Sequence, residues 1–283
     1  DVIDGEETRD MYAVTGKLFH ELNDRWSSKL IASYRSFDTT NRQDEDGTAE
    51  VDRYLDTDNI EDSDIFYTEL QFNYTGDRYT LVFGGNYSKE DTFQAIPVNT
   101  NADSAMRAVT SGIAAATGVP LDHIWDPNQM AFLMSALLQQ PISPEMILGT
   151  GDFFYDQLDF FLPGTPVVGP SFAGQPWSEY YFNEGDFTNY GIYGDIDFQL
   201  NEQWSVIFGL RYSWDEKDFS WRNPPNSLNA VRPGTEDLVF VPYPGYEQAR
   251  TGTLLATRDW SKLTGRAVVN YQINEELLTY LSY

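Results

Sequence analysis

Few residues in this chain could do bond-making chemistry. Its two histidines, His20 and His123, lie far apart, and neither sits in a His–carboxylate cluster with metal-ligand spacing. Cysteine is absent, which removes thiol redox chemistry and Cys-ligated zinc. No nucleophile elbow, phosphate-cradling glycine loop or dinucleotide fingerprint is present. Asp and Glu total 44, so close carboxylate pairs arise by chance and a glycosidase-like pair cannot be inferred from them. We therefore expect no enzyme, no cofactor and no catalytic metal. The densest acidic run spans 39–63, where Asp44, Glu45, Asp46, Glu50, Asp52, Asp56, Asp58, Glu61 and Asp62 face only Arg42 and Arg53. It lacks the spacing of a Ca²⁺ loop, since Arg42 stands where the first Asp is needed. A solvated loop is expected there, with weak divalent-cation binding as the alternative.

The informative charges are those whose position in an alternating strand fixes their face. Lys17, Lys29, Arg35, Arg211 and Arg266, with Glu69, Tyr193, Asp195 and Asp197, all fall on polar parities. Cross-strand salt bridges bracing a wall are one role for them. A polar lining met by a passing anionic ligand is the other, with Arg35, Tyr193, Asp195, Arg211 and Arg266 as its candidate residues.

Those faces exist only if the chain forms long strands, and its pattern repeats four times. An alternating segment reaches a two-residue turn with an acidic second member, then a second alternating segment runs into an acidic stretch. The turns are Asn23-Asp24, Gly76-Asp77, Asn201-Glu202 and Asn274-Glu275. In the third copy Tyr190, Ile192, Ile196, Phe198 and Leu200 share one parity, against Gly191, Tyr193, Asp195, Asp197 and Gln199. After the turn Trp204, Val206, Phe208, Leu210, Tyr212 and Trp214 alternate with Ser205, Ile207, Gly209, Arg211, Ser213 and Asp215. Successive strand side chains point to opposite faces, so one face is apolar and the other polar, as in a membrane β-barrel wall.

Strands are predicted at roughly 10–22, 25–38, 64–75, 78–91, 187–200, 203–220, 261–273 and 276–283. All but the last exceed the ~9–11 residues that cross a bilayer's hydrocarbon. Short turns alternate with long connections at about 39–63, 92–186 and 221–260, the asymmetry of periplasmic turns and extracellular loops. Trp26, Tyr79 and Trp204 follow the short turns, while Tyr34, Tyr87, Tyr212 and Trp214 lie near the far strand ends, suiting two aromatic girdles.

The segment 92–186 is too long to be structureless. A helix capped by Asp103 and ending at Gly118 is predicted, carrying Ala105, Val109, Gly112, Ile113 and Ala116 on one face. A second begins at Asp126-Pro127, with Gln129 three residues after the cap and an apolar stripe of Met130, Leu133, Met134, Leu137 and Leu138. Aromatic residues follow: Phe153, Phe154, Tyr155, Phe160, Phe161, Trp177, Tyr180, Tyr181 and Phe182. They make either a satellite core folded over the barrel mouth or a ligand-gripping surface. Phe153, Phe154, Tyr155, Trp177 and Tyr180 are the ligand-contact candidates.

A formal charge of -26 argues against nucleic acid as a partner, because counterion release needs a cationic surface. Aromatics at 15% separate the chain from acidic disordered sequences. It starts at Asp1 without Met and stops at Tyr283 within a predicted strand, and so reads as part of a longer protein.

Residues 187–220, from Phe187-Thr-Asn-Tyr-Gly-Ile-Tyr through Gly-Leu-Arg211-Tyr-Ser-Trp-Asp-Glu-Lys217-Asp, resemble the mid-barrel hairpin of TonB-dependent outer-membrane receptors. The stretch Leu263-Thr-Gly-Arg-Ala-Val-Val-Asn-Tyr to Tyr283 is similar to the next hairpin, while the first two hairpins share only the general pattern. The resemblance implies an all-β, antiparallel transmembrane barrel segment, eight strands of a 22-stranded wall, with the plug, TonB box and final strands outside this sequence. It further implies the outer membrane of a Gram-negative bacterium, surrounding lipid and the TonB energy-transducing protein as partners, and import of a ferric siderophore, cobalamin or a sugar. A ferric chelate is the first expectation. The lumen charges would then face a plug or the cargo, and no binding residue is carried over by motif. Two alternatives stay open: a complete eight-stranded barrel with a structural or adhesive role, and a secreted carbohydrate-binding β-sandwich.

Overall fold

The structure, a computed structural model, describes residues 5–50, 53–162, 167–227 and 252–283. Eight strands form one sheet: β1 (Glu6–Asn23), β2 (Trp26–Asp44), β3 (Leu55–Thr75), β4 (Tyr79–Asn101), β5 (Pro176–Gln199), β6 (Trp204–Arg222), β7 (Leu254–Asn274) and β8 (Leu277–Ser282). Each pairs antiparallel with its sequence neighbour, and β1 and β8 are the two edges. A closed eight-stranded barrel would pair those edges, and a sandwich would need a second sheet. The single open sheet is neither.

The short turns share one end. Trp26 pairs with Tyr74, Tyr79 with Phe198 and Trp204 with Tyr271, so neighbouring turns lie side by side. Three begin with Asn for a physical reason. The Asn23 side-chain oxygen accepts hydrogen bonds from the Arg25 and Trp26 backbone N–H groups at 3.0 and 3.1 Å. Asn201 does the same for Gln203 and Trp204 at 2.9 and 3.0 Å, and Asn274 for Glu276 at 3.0 Å. These Asx turns satisfy backbone donors where the ladder stops. The acidic second residue is incidental to that geometry.

At the opposite end the strands run further than their sequence pattern suggests. β2 continues to Asp44 and β3 starts at Leu55, so the expected loop 39–63 shrinks to 45–54. Likewise 92–186 becomes 102–175, and β6 and β7 reach Arg222 and Leu254, with most of the connection between them outside the described residues. Alternation fades here because both faces meet water, yet ladder hydrogen bonds need no apolar face. A bidentate Arg42–Asp58 pair at 2.7 and 3.2 Å bridges β2 and β3 directly across their register.

The apolar face is solvent-accessible rather than cored, with Phe208 55% and Ile192 56% exposed. Two aromatic bands bound it. Near the turns Trp26 meets Tyr74 in a tilted contact at 4.9 Å, Tyr74 stacks on Tyr79 at 5.0 Å, and Trp204 stacks on Tyr271 at 4.4 Å. Tyr74 and Tyr271 belong to this band although they precede their turns. The second band holds Tyr34, Phe66, Tyr87, Tyr190, Tyr212 and Trp214, linked by Phe66–Tyr87 at 6.2 Å and Tyr87–Tyr190 at 5.2 Å. Eight residues separate Trp26 from Tyr34 and Tyr79 from Tyr87, about 26 Å along a strand at ~3.3 Å per residue, the scale of a bilayer's apolar layer.

The buried core lies elsewhere, in the long β4–β5 connection. Its helices are α1 (Ala102–Thr117), α2 (Pro127–Leu138), α3 (Pro144–Thr150), α4 (Phe153–Asp156) and α5 (Leu158–Phe161). Met106, Ile124, Met130, Leu133, Met134, Leu158 and Trp177 are fully buried among them. Asn101, not Asp103, caps α1 by accepting the Ser104 N–H at 2.8 Å, while Asp103 accepts the Gly174 N–H at 2.6 Å. Met106 faces inward with Ala105, Val109 and Ile113, while Gly112 and Ala116 are exposed. Asp126 caps α2 as expected, through the Asn128 and Gln129 N–H groups. Gln129 does not close a capping box, because its side chain accepts instead from the Asp122 and His123 N–H groups.

Candidate functional site

The polar face of the sheet gathers the side chains that could meet a ligand. At its centre the Glu69 carboxylate on β3 accepts hydrogen bonds from the Tyr193 hydroxyl at 2.5 Å and the Tyr67 hydroxyl at 2.8 Å. Beside it the Arg211 guanidinium donates to Asn86 Oδ1 at 2.9 Å and to Ser213 Oγ at 3.0 Å. Asn86 passes the chain to Asn189 at 3.1 Å, and Asn189 to Asp215 at 2.8 Å. Strand register builds this network, since β3, β4, β5 and β6 each contribute alternate residues.

Gly191 and Gly209 are the empty positions that let the arginines lie flat. A Cβ on Gly191 would collide with Asn86 Oδ1 and the Arg211 guanidinium, and one on Gly209 with Asp195 Oδ2 and the Arg266 side chain. Glycine in a strand interior marks such close approaches.

Of the polar-face candidates, Tyr193, Asp195, Arg211 and Arg266 come together. Arg266 donates to Asp195 Oδ2 through Nε and Nη2 at 2.9 and 2.8 Å. Arg35 stands apart, 5.8 Å from the Phe37 ring centroid. A full ladder of salt bridges is not what forms. Lys17, Lys29, Arg35 and Arg211 have no carboxylate within ion-pair distance among the described residues. The wall is held mainly by neutral and charge-assisted hydrogen bonds, and leaves cationic capacity unspent.

The aromatic loop candidates divide differently. Phe154, Tyr155 and Trp177 are buried in the helical core, where they fill space. Burial pushes the Tyr155 hydroxyl up to about 12, so it stays neutral at any physiological pH. Phe153 remains accessible, at 55% exposure, whereas Tyr180 belongs to β5 and takes the parity opposite to Tyr193, on the outer face. Trp177 shares strand parity with Tyr193, so the helical unit packs on the polar side of the strand tips. It is tied down by Tyr54, whose N–H donates to Ser104 Oγ at 2.6 Å and whose carbonyl accepts from Thr100 Oγ1 at 2.6 Å. Among the described residues no group of three or more His, Asp or Glu converges as a metal would need.

A further cationic cluster lies on polar parity nearer the strand tips, at Lys217, Arg258, Phe187 and Trp260. Arg258 and Trp260 fall in the segment 221–260, whose alternation reads as a loop in the sequence. The signal that would have found them is the register of β6 carried across to β7.

The family model described as "TonB dependent receptor-like, beta-barrel" matches residues 98–283, about two thirds of the chain. The chain belongs to this family. Both hairpins that carry the sequence resemblance lie within the match, and the first two hairpins lie almost wholly before it. No curated protein matches the sequence. Among solved structures, the siderophore receptor PiuA from Acinetobacter baumannii is 12% identical with a TM-score of 0.52, over 98% of this chain and 32% of PiuA. The ferric yersiniabactin uptake receptor FyuA from Yersinia pestis is 10% identical with a TM-score of 0.49, over 98% of this chain and 27% of FyuA. The ferric-catecholate import receptor Fiu from E. coli K12, in its open form, is 10% identical with a TM-score of 0.49, over 99% and 36%. At these identities the PiuA likeness shows the fold alone, and the chain spans about a third of the length of these receptors. In a TonB-dependent receptor-like barrel the polar face is the lumen side and the apolar face meets lipid. The helical unit then stands at the end of the wall opposite the short turns.

Proposed function

We propose that this chain is part of the barrel wall and mouth of an outer-membrane receptor that imports a scarce nutrient, a ferric chelate first of all. Energy would come from the TonB protein, acting through a plug and TonB box that precede these residues. The family match carries the reading. The division of labour within the sheet supports it: a girdled apolar outer face, a hydrogen-bonded inner face with uncompensated cations, and a packed unit over the mouth. The inner wall offers recognition by charge and hydrogen bonding. Arg35, Tyr193, Asp195, Arg211 and Arg266, with Phe153 above them, are the residues we propose to border the cargo's route.

The test is uptake by cells. A Gram-negative strain expressing the full-length receptor should accumulate radiolabelled iron from a chelate, and lose that uptake when either the receptor or TonB is deleted. Chelate uptake unchanged by both deletions would defeat the proposal.

A further inference from the structure

The outer face of the sheet carries a cleft between its two aromatic bands. Its floor is Gly85 on β4, flanked in register by Leu70 on β3 and Ile192 on β5. Leu70 and Ile192 stand 44% and 56% exposed on either side of a residue with no side chain. One rung nearer the strand tips, Thr68, Tyr87, Tyr190 and Trp214 face one another across β3 to β6. Their three rings close the cleft on the side of the second band, with Tyr87 and Tyr190 at 5.2 Å. An apolar slot open to the bilayer and bounded by rings suits an acyl chain.

Above the rings the same face changes chemistry. Glu216, two residues beyond Trp214, is exposed at the rim of the cleft. No cation lies within ion-pair distance of it among the described residues. Next come Asp64, Asp91, Asp186 and Asp218, which face one another in a single rung across β3 to β6. Like charges opposed across a ladder are unfavourable. Lys89 is the cation of these two rungs, and it lies 3.3 Å from Asp91 and 3.0 Å from Asp186. In register it shares a rung with Thr188 and Glu216. A purely anionic lipid headgroup set against this belt meets repulsion, whereas one that brings its own amine relieves it.

We infer that this cleft seats an acyl chain of phosphatidylethanolamine, with the lipid amine on Glu216 and its phosphate toward Lys89. Only β5 separates Lys89 from Glu216, a gap of about 10 Å at two strand spacings. A phosphoethanolamine headgroup in contact with both side chains spans that gap. Asp91 and Asp186 occupy two of the Lys89 ammonium donors, and the third is left for the phosphate. The site lies on the face away from the lumen, and it needs neither cargo nor TonB.

The experiment is native mass spectrometry of the purified full-length receptor. It is offered phosphatidylethanolamine, phosphatidylglycerol with the same acyl chains, and lipid A with unmodified phosphates. Phosphatidylethanolamine should be retained in preference to both. Glu216→Gln should lower its retention by about fivefold, the scale of one charge contact at a membrane surface. Glu216→Lys is the sharper variant and should turn the preference to phosphatidylglycerol. Glu216 is exposed and braces no neighbour, so both variants keep the fold. Thr68→Leu fills the cleft from the lipid side and should lower retention of both phospholipids. The inference is overturned if phosphatidylglycerol or lipid A is retained as well as phosphatidylethanolamine, or if none of the three is retained. It is equally overturned if the preference survives Glu216→Lys or if Thr68→Leu changes nothing. Iron uptake is a separate readout, so the importer reading and the lipid site fail separately.

Discussion

The wall and the unit over its mouth come from one chain but are held by opposite means. In the wall, side chains such as Phe208 and Leu210 are more than half exposed, and cohesion comes from the backbone ladder that joins the eight strands. In the helical unit, Met106, Leu133, Met134 and Trp177 have no exposed surface, and cohesion comes from close packing. The wall needs only the right class of residue at each parity. The helical unit needs particular shapes in particular places. Substitutions should therefore be read against different yardsticks in the two regions.

The largest effect is expected in the packed region. Trp177→Ala leaves a cavity at the junction of β5 with the helices and should cost about 3–5 kcal/mol locally. Protease sensitivity should appear within 102–175 while the barrel keeps its strands. Loss of the whole barrel would show that the two regions do not fold by separate rules.

Next in size is a test of the wall's faces. Phe208→Arg, placed on the lipid side between the girdles, should cost about 2–4 kcal/mol in a barrel-folding assay of the full-length receptor. Ile207→Arg should be milder, because residue 207 points into the lumen and lies opposite Asp197 on β5. Equal tolerance of both would remove the distinction between the faces.

The same contrast explains what the sequence discloses. Strand parity is a local property, so the hairpins, the turn end and the lumen side of Tyr193, Asp195, Arg211 and Arg266 are legible without a structure. Strand ends are not legible, because above the membrane both faces are wet and alternation loses its cause. That is why Arg258 and Trp260 read as loop although they sit on β7. Nor are the roles of loop aromatics. Phe153 and Phe154 are adjacent and alike in sequence, yet the first is exposed and the second buried, which only the packing of α4 decides. Asn101 and Asp103 are similarly interchangeable as caps on paper; the hydrogen bond to Ser104 selects the first.

A smaller effect is expected from the one lumen ion pair among the five polar-face candidates. Arg266 and Asp195 are 61% and 27% exposed at the side chain, so their interaction is screened. A double-mutant cycle with Arg266→Gln and Asp195→Asn should give a coupling below about 1 kcal/mol. A coupling several times larger would mean that the lumen wall is braced by its ion pair, rather than by the Tyr67–Glu69–Tyr193 and Arg211–Asn86 hydrogen bonds.

The smallest effect separates the regions by acidity. The Gln129 and Asn128 backbone N–H groups hold the Asp126 carboxyl below its ordinary value. The Ser143 side chain does the same for Glu145 at the start of α3. A carboxyl depressed in the folded state stabilises it fully above the unfolded pKa, near 3.8 for Asp126, and that stabilisation fades as pH falls through the folded value. The helical unit should therefore loosen in acid below about pH 4, with hydrogen exchange rising first at the N-termini of α2 and α3. The wall ladder between the girdles, built of backbone pairs, should hold its protection over the same range. Asp126→Asn supplies the control, since it keeps a capping oxygen but cannot titrate. It should flatten the acid response at residues 128–130 and leave that at α3 intact. If the response survives at α2, the depressed carboxyl is not what ties that helix to pH, and packing alone governs the unit over the mouth.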